Sequence, residues 1–293
     1  MATRILHHKQ AIQKENLTIE TADFYNEATE DYEFWSKDFN MHFGFFSPTR
    51  TNPLKRDSML NEMNRQIYKR IGITTQSQLL CDLGCGMGGT MRYGLKNNHN
   101  IKIEGVTLSE FQAEEGNKRL KGLNGIIFKE DYNNTHFKDN CFDGALAIES
   151  FCHSGHDDAS FIEAYRILKP GARLVVADAF LKKERDELCI GGTYCYKNLC
   201  DGWSLENLGN IPAIKQTLQK TGFTKITVED ISLCVAPSVL HVPFAITGFI
   251  IKKLWKKENL KPQSIKNLKG SLFALLSGVQ MNNFGYYIIT AEK

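Results

Sequence analysis

What this chain of 293 residues lacks narrows its class. Its eight cysteines, at 81, 85, 141, 152, 189, 195, 200 and 234, include no CxxC pair. That leaves out the usual spacing of a structural zinc site or a thioredoxin-type redox pair, and no metal is expected. Spread this thinly, they read as free thiols in a reducing compartment. Neither charge dominates: 36 Lys plus Arg stand against 33 Asp plus Glu, a net +3. A dedicated nucleic-acid binder concentrates basic side chains to displace counterions, so no nucleic-acid partner is expected. The opening MATRILHHKQ lacks the apolar core of a signal peptide. The longest late apolar run, from Val242 to Ile251, contains Pro243 and Gly248. It is about half of the roughly 20 residues of a spanning helix. A soluble cytoplasmic protein is the expectation. What is present, 42% hydrophobic and 11% aromatic residues, suffices for a real core and excludes disorder.

Residues 1–20 are polar and read as a frayed terminus. Residues 21–75 are helix-patterned, with nine aromatics between Phe24 and Phe46, and are expected to form a helical cap. From Gln78 short apolar runs alternate with helical stretches. Strands are expected at 79–83, 102–108, 125–129, 142–148 and 173–180, with helices at 89–97, 109–121 and 158–168. Strands rich in Val, Ile and Leu with helices between them predict an α/β fold, its mostly parallel sheet covered on both faces. Residues 181–211 read as irregular, followed by a helix at 212–221 and a strand at 225–231. An excursion over 233–282 precedes a last strand, FGYYIITAEK. Such an insertion can cover the carboxyl ends of the strands, where ligands bind in doubly wound folds. The reading is a single domain over 21–293: a cofactor core at 76–180, a completed core with substrate-cap insertions at 181–282, and a last strand at 283–293.

The strongest local signal is LCDLGCGMGGT, residues 80–90, at a strand-to-helix turn. Glycines there let the backbone take positive φ and approach a ligand closely. The pattern looks like a dinucleotide GxGxxG, but two details argue against a dinucleotide. Asp82 precedes the first glycine, where it can meet a ligand ammonium or position the loop. The second strand ends at Thr107, not at an acid.

DLGCGMGG resembles motif I of class I S-adenosylmethionine-dependent methyltransferases. GVTLSEFQ resembles the GVTLSxxQ segment of their sterol, tocopherol and cyclopropane-fatty-acid branch. The resemblance implies a Rossmann-like seven-stranded sheet and S-adenosyl-L-methionine as cofactor. It assigns Asp82, Gly84, Gly86 and Gly88 to the cofactor loop, and Thr107, Leu108 and Gln112 to the ribose side. Asp131 and Tyr132 fall at the adenine, and His42 and Ile148 join the same pocket. Phe24 to Phe46 resembles the amino-terminal stretch of tocopherol and sterol C-methyltransferases. IESFCH, residues 148–153, is similar to the I-E-A/S-x-x-H stretch of sterol methyltransferases, and residues 232–237 with the last strand look like the γ-tocopherol methyltransferase tail. The polar Cys152, His153, Ser154, His156, Asp157 and Asp158 depart from the tocopherol type and argue against a tocopherol-like phenol.

Methyl transfer from a sulfonium is an in-line displacement, so the protein mainly positions the acceptor and excludes water. Aromatic faces stabilise positive charge by about 0.5–2 kcal/mol each. Tyr25, Trp35, Phe45 and Phe46 are candidates for such a substrate-pocket wall, or for ordinary packing of a helix on the sheet. Glu149 and His153, four apart at the carboxyl edge of the fourth strand, can accept the proton lost after methylation. Alternatively Glu149 anchors the cofactor pocket and His153 caps the next helix. Lys252 to Lys269 holds seven lysines and one acid. It reads as a solvated face, or as a peripheral contact with an anionic membrane or an anionic lipophilic substrate. A homodimer is compatible with the same composition. RNA and protein methyltransferases carry NPPY-type or PC-type motifs, and neither occurs. The expected activity is methylation of a small lipophilic acceptor, at the carbon of an isoprenoid, sterol-like or prenylated aromatic compound. O- or N-methylation, or a non-catalytic nucleotide-binding module, are the alternatives.

Overall fold

The structure is a computed structural model that describes residues 35–257, 259 and 261–293. The expected frayed terminus and Tyr25 lie outside the described residues. Seven strands form one sheet: β1 (Gln78–Leu83), β2 (Ile101–Thr107), β3 (Gly125–Lys129), β4 (Phe142–Ile148), β5 (Leu168–Leu181), β6 (Thr224–Asp230) and β7 (Phe284–Glu292). Their order is β3-β2-β1-β4-β5-β7-β6. The first five run parallel, and β7 inserts antiparallel between β5 and β6. This is the Rossmann-like α/β sheet expected from the sequence.

The alternation of side chains along the central strands builds the two layers. Cys81, Leu83, Ala145, Ala147, Leu174 and Val176 enter one core. Leu80, Leu146, Val175 and Ala177, one residue out of phase, enter the other. A strand buried on both faces needs apolar residues at both parities, which is why these strands read as continuous apolar runs. Each large aliphatic side chain so buried contributes about 1.5–3 kcal/mol.

Helix α1 (Arg56–Ile71) packs Met63 and Ile67 into the second core, which also receives Met91 from α2 (Gly89–Asn97). Side-chain caps start the next helices: Ser109 accepts from the Gln112 N–H to open α3 (Glu110–Leu120), and Asp157 from the Ser160 N–H to open α4 (Asp158–Ile167).

Two expectations are corrected. The described part of the amino-terminal cap is helical only at α1; residues 35–55 run without regular secondary structure. Over 43–46 this strap gives its backbone donors to other elements. The N–H groups of Phe43, Gly44, Phe45 and Phe46 donate to Glu149 Oε1, Ser238 Oγ, the Met59 carbonyl and the Cys234 carbonyl. A stretch such as 43–46, whose backbone donors go to other elements, does not close a helical ladder.

The second correction is in 181–211, which holds a helix, α5 (Ile190–Trp203). Three glycines, and cysteines in place of leucines, hid its period. Cys195, Tyr196, Leu199 and Cys200 form its buried stripe and meet Phe273 and Ala274 of α9 (Pro262–Val279). The helices approach closely because Gly202 faces Gly270: a Cβ on Gly202 would stand 2.4 Å from the Gly270 nitrogen. Gly202→Leu is therefore expected to pry α5 from α9. Overpacking of this kind costs about 1–3 kcal/mol, seen as a melting temperature lower by about 5 °C. An unchanged melting temperature would show that the two glycines do not meet.

After β5 the chain also forms α6 (Ile211–Thr221), α7 (Ser232–Val239) and α8 (Val242–Trp255). The apolar stretch there is longer than the sequence reading allowed. Ser232–Trp255, which is α7 and α8 with a turn at Leu240 and His241 between them, is by length and composition alone long and apolar enough to cross a membrane.

Candidate functional site

The carboxyl ends of β1 to β4 bring the sequence-predicted cofactor residues together. Gly84, Gly86 and Gly88 have φ of 93°, 52° and 69°. A Cβ on Gly84 would strike the Ser150 side chain at 2.4 Å, so this part of the loop is pressed against the end of β4. At Gly86 a Cβ would meet only the Met41 sulfur, at 3.1 Å. That surface is open to a ligand. Asp82, buried at the end of β1, has an Oδ2 with no hydrogen bond among the described residues. Burial pushes its carboxyl up to about 8. A buried acceptor of this kind is costly without a partner, and a ligand ammonium is a fitting one.

Thr107 donates to Gln112 Oε1 at 2.6 Å, and Gln112 Nε2 lies 3.7 Å from the Met41 sulfur. Leu108 and Ile148 are half-buried on the same rim, as is Asp131, whose Oδ1 accepts from the Asn133 N–H at 2.8 Å. Tyr132 is committed differently: its hydroxyl donates to the Ser150 carbonyl at 2.9 Å and its ring packs on Phe151, centroids 5.2 Å apart. His42 lies in the strap, buried, with Nδ1 2.8 Å from the Phe43 carbonyl and Nε2 3.1 Å from Asn64 Oδ1. Burial lowers its pKa. The open glycine turn, the orphan carboxylate oxygen and the hydroxyl–amide pair fit an amino-acid-bearing nucleoside cofactor.

Beside this cradle lies a cavity of about 480 Å³. Met41 and His42 line it and Met41 also borders Gly86, so the strap joins cradle and cavity. The walls come mainly from α5, α7, α8 and α9.

Glu149 stands at its floor, directly after β4, with φ +48°. A non-glycine residue held in this region stores strain, which surrounding contacts must over-determine. Its Oε1 accepts from the Phe43 N–H at 2.6 Å and the Tyr286 hydroxyl at 2.7 Å. Burial drives the carboxyl up to about 8 against the pull of these two bonds. His153 lies in a 3-10 turn, Phe151–Ser154. Burial lowers its pKa to about 4, with Asp178 opposing, so the ring is neutral at pH 7.

Two residues of the cavity, Asp178 and Tyr286, were not assigned to the site from the sequence. Asp178, buried near the end of β5, accepts from the Cys152 N–H at 3.0 Å and the Ala179 N–H at 2.8 Å. Its Oδ2 is 3.2 Å from His156 Nε2, and His156 Nδ1 accepts from the Gly209 N–H at 3.2 Å. Tyr286 comes from β7. The available signal was an acid inside the apolar run RLVVADAF.

Among the wall candidates, Trp35 lines the cavity; its Nε1 donates to the His42 carbonyl at 3.1 Å and the Arg56 guanidinium lies 4.6 Å from its ring centroid. Phe45 packs against the second core, and neither it nor Phe46 reaches the cavity; Phe43 does.

Residues 81–176 match a family model described as a methyltransferase domain. Methyltransferase GfsG of Streptomyces halstedii is 27% identical over 279 residues, 94% of either chain. The 24-methylenesterol C-methyltransferase 2 of Arabidopsis thaliana is 28% identical over 218 residues, 71% of this chain; the match spans 57% of the plant protein. The cyclopropane synthase MmaA2 from Mycobacterium tuberculosis shares the fold at a TM-score of 0.80 and 16% identity, covering 94% of this chain and 98% of that one.

Proposed function

Because the chain is a class I S-adenosylmethionine-dependent methyltransferase, we propose that its acceptor is a small lipophilic molecule methylated at carbon, of isoprenoid, sterol-like or prenylated aromatic type. The cavity carries this reading. At about 480 Å³ it has the size of a small-molecule site, and its lining is mostly apolar, with Glu149, His153 and Asp178 among its few polar groups. A polar metabolite would leave buried groups unpaired against such walls. The sterol C-methyltransferase relative supports the choice of carbon.

When bound, the cofactor supplies an electrophilic methyl group on a sulfonium. The chain's own work is to hold the acceptor, keep water out and take up a proton. The strap and the α7–α9 layer both line the cavity that holds Glu149, which keeps water from the reacting ends. Both bonds to Glu149 fall on Oε1, which fixes the carboxyl and leaves Oε2 for the acceptor. After methylation of an alkene carbon, positive charge rests on the acceptor and a C–H proton must leave. That charge favours the Glu149 carboxylate, which takes the proton and becomes the neutral acid. A hydroxyl acceptor is the second reading, favoured by the neutral form of His153, which can accept an O–H proton.

The test is turnover of isotope-labelled cofactor with a panel of isoprenoid, sterol and prenylated aromatic acceptors, products being read by mass and NMR. A gain of one carbon-bound methyl is the expected result. A methoxy product would move the assignment to the second reading. Turnover of polar metabolites alone would overturn the argument from the cavity.

A further inference from the structure

The layer that walls the cavity is apolar on its outer side as well. On α8, Val242, Ala245, Ile246 and Phe249 face inward. Phe244, Ile251, Leu254 and Trp255 belong to none of the buried clusters and point to solvent, Phe244 at 75% and Trp255 at 89% exposure. Their spacing of seven and then three or four residues places them on one stripe of the helix. Soluble monomers rarely leave such a row uncovered.

Two further exposed residues also line the cavity: Leu240, 61% exposed, between α7 and α8, and Val279, 75% exposed, at the end of α9. Their neighbours meet, since a Cβ on Gly278 would stand 3.6 Å from Val239 Cγ1. The cavity mouth thus opens where the outer apolar stripe begins, one helical turn before Phe244.

Charge is concentrated at the other end of the outer stripe, where α8 ends and α9 begins. Lys252 to Lys269 carries seven lysines and one glutamate; taking these from the chain's 36 basic and 33 acidic residues leaves 29 and 32. Outside this stretch the protein is slightly acidic. An exposed apolar row flanked by lysines matches the chemistry of an anionic bilayer, with the side chains in the acyl boundary and the ammonium groups among the headgroups.

We propose that α8 docks peripherally on an anionic lipid surface and that the mouth at Leu240 and Val279 takes its acceptor from the bilayer. The inward residues of α8 are committed to the cavity, so the helix lies in the interface and does not span. Docking stands on this surface alone; the delivery step rests on the lipophilic-acceptor reading.

The experiment is cosedimentation of the full chain with vesicles of phosphatidylcholine alone, and of phosphatidylcholine and phosphatidylserine at about seven to three. Partition is expected to be at least tenfold stronger onto the anionic vesicles and to fall about tenfold in high salt. The double variant Phe244→Glu/Trp255→Glu should weaken it at least tenfold, with S-adenosylhomocysteine affinity and melting temperature unchanged. Brominated lipid should quench wild-type tryptophan fluorescence, and Trp255→Phe should remove that quenching. Equal sedimentation of wild type and double variant would overturn the proposal. So would a dimer, seen by light scattering and lost in the double variant, with no vesicle binding. These readouts need no acceptor, so a wrong acceptor class leaves them intact.

Discussion

Glu149→Gln is expected to lower kcat by about 10²–10⁴-fold, the usual contribution of a positioned general base. S-adenosylhomocysteine affinity should change little. The amide keeps the shape of the side chain and still offers an oxygen to the Phe43 N–H and the Tyr286 hydroxyl. The strap should stay in place, and only the capacity to take a proton disappears. Losses in kcat and cofactor affinity of equal size, measured by steady-state kinetics and calorimetry, would return Glu149 to a purely structural place in the pocket. The wild type adds a second check. With burial holding the unliganded carboxyl near 8, the fraction of free enzyme carrying the base form grows with pH. Log kcat/KM should climb towards about pH 8 and then level off.

Gly86→Val should abolish measurable cofactor binding, a loss of more than about a hundredfold. The residue sits at φ +52°, a conformation that costs an L-residue about 1–2 kcal/mol and a β-branched one more. Its Cβ would also enter the side of the loop that only the Met41 sulfur approaches. Circular dichroism should report a folded chain, and calorimetry with S-adenosylhomocysteine should report no heat; retained affinity would remove the glycine turn from the cofactor site.

Asp82 ties the same site to pH. Its carboxyl is raised from 3.8 to about 8 by burial, and Glu149 from 4.5 to about 8. The folded, unliganded chain therefore holds more protons than the unfolded one between about pH 4 and 8, and stability falls as pH rises through that window. His153, lowered from 6.5 to about 4, works the other way between those two values. An ammonium beside Asp82 would ionise it, so binding below pH 8 should release a proton and tighten as pH rises. Calorimetry in buffers of different ionisation enthalpy reads this directly, and Asp82→Asn should erase the release.

Much of the sheet was legible because its signals are local. The run GIIFK matches β3 and FDGALAI matches β4 residue for residue, since two-sided burial writes itself as continuous apolar sequence. The glycine loop was legible for a similar reason: its three positive φ values demand residues without a side chain. The floor of the cavity was only half legible. Glu149 and His153 are neighbours in sequence, whereas Asp178 and Tyr286 meet them only because β5 and β7 pair, with Ala179 opposite Tyr286. The strap misled in the same manner: Phe43, not Phe45 or Phe46, faces the cavity because bonds to Glu149, Ser238 and Met59 fix the path of the backbone. Helix α5 failed locally, its period carried by cysteine and tyrosine among glycines.

The insertion of β7 between β5 and β6 imposes an order in time. Strand β6 pairs only with β7, and β7 follows it in the chain after α7, α8 and α9. As the polypeptide leaves the ribosome, β1 to β5 can assemble in sequence, but β6 has no neighbour until β7 emerges. During that interval the edge of β5 is bare, and the apolar α7–α9 segment has no finished sheet to lean on. Pairings this distant close slowly and leave sticky surface exposed meanwhile. A nascent chain stalled before residue 284 should therefore be a strong client for chaperones, and the cavity would be the last part of the molecule to exist.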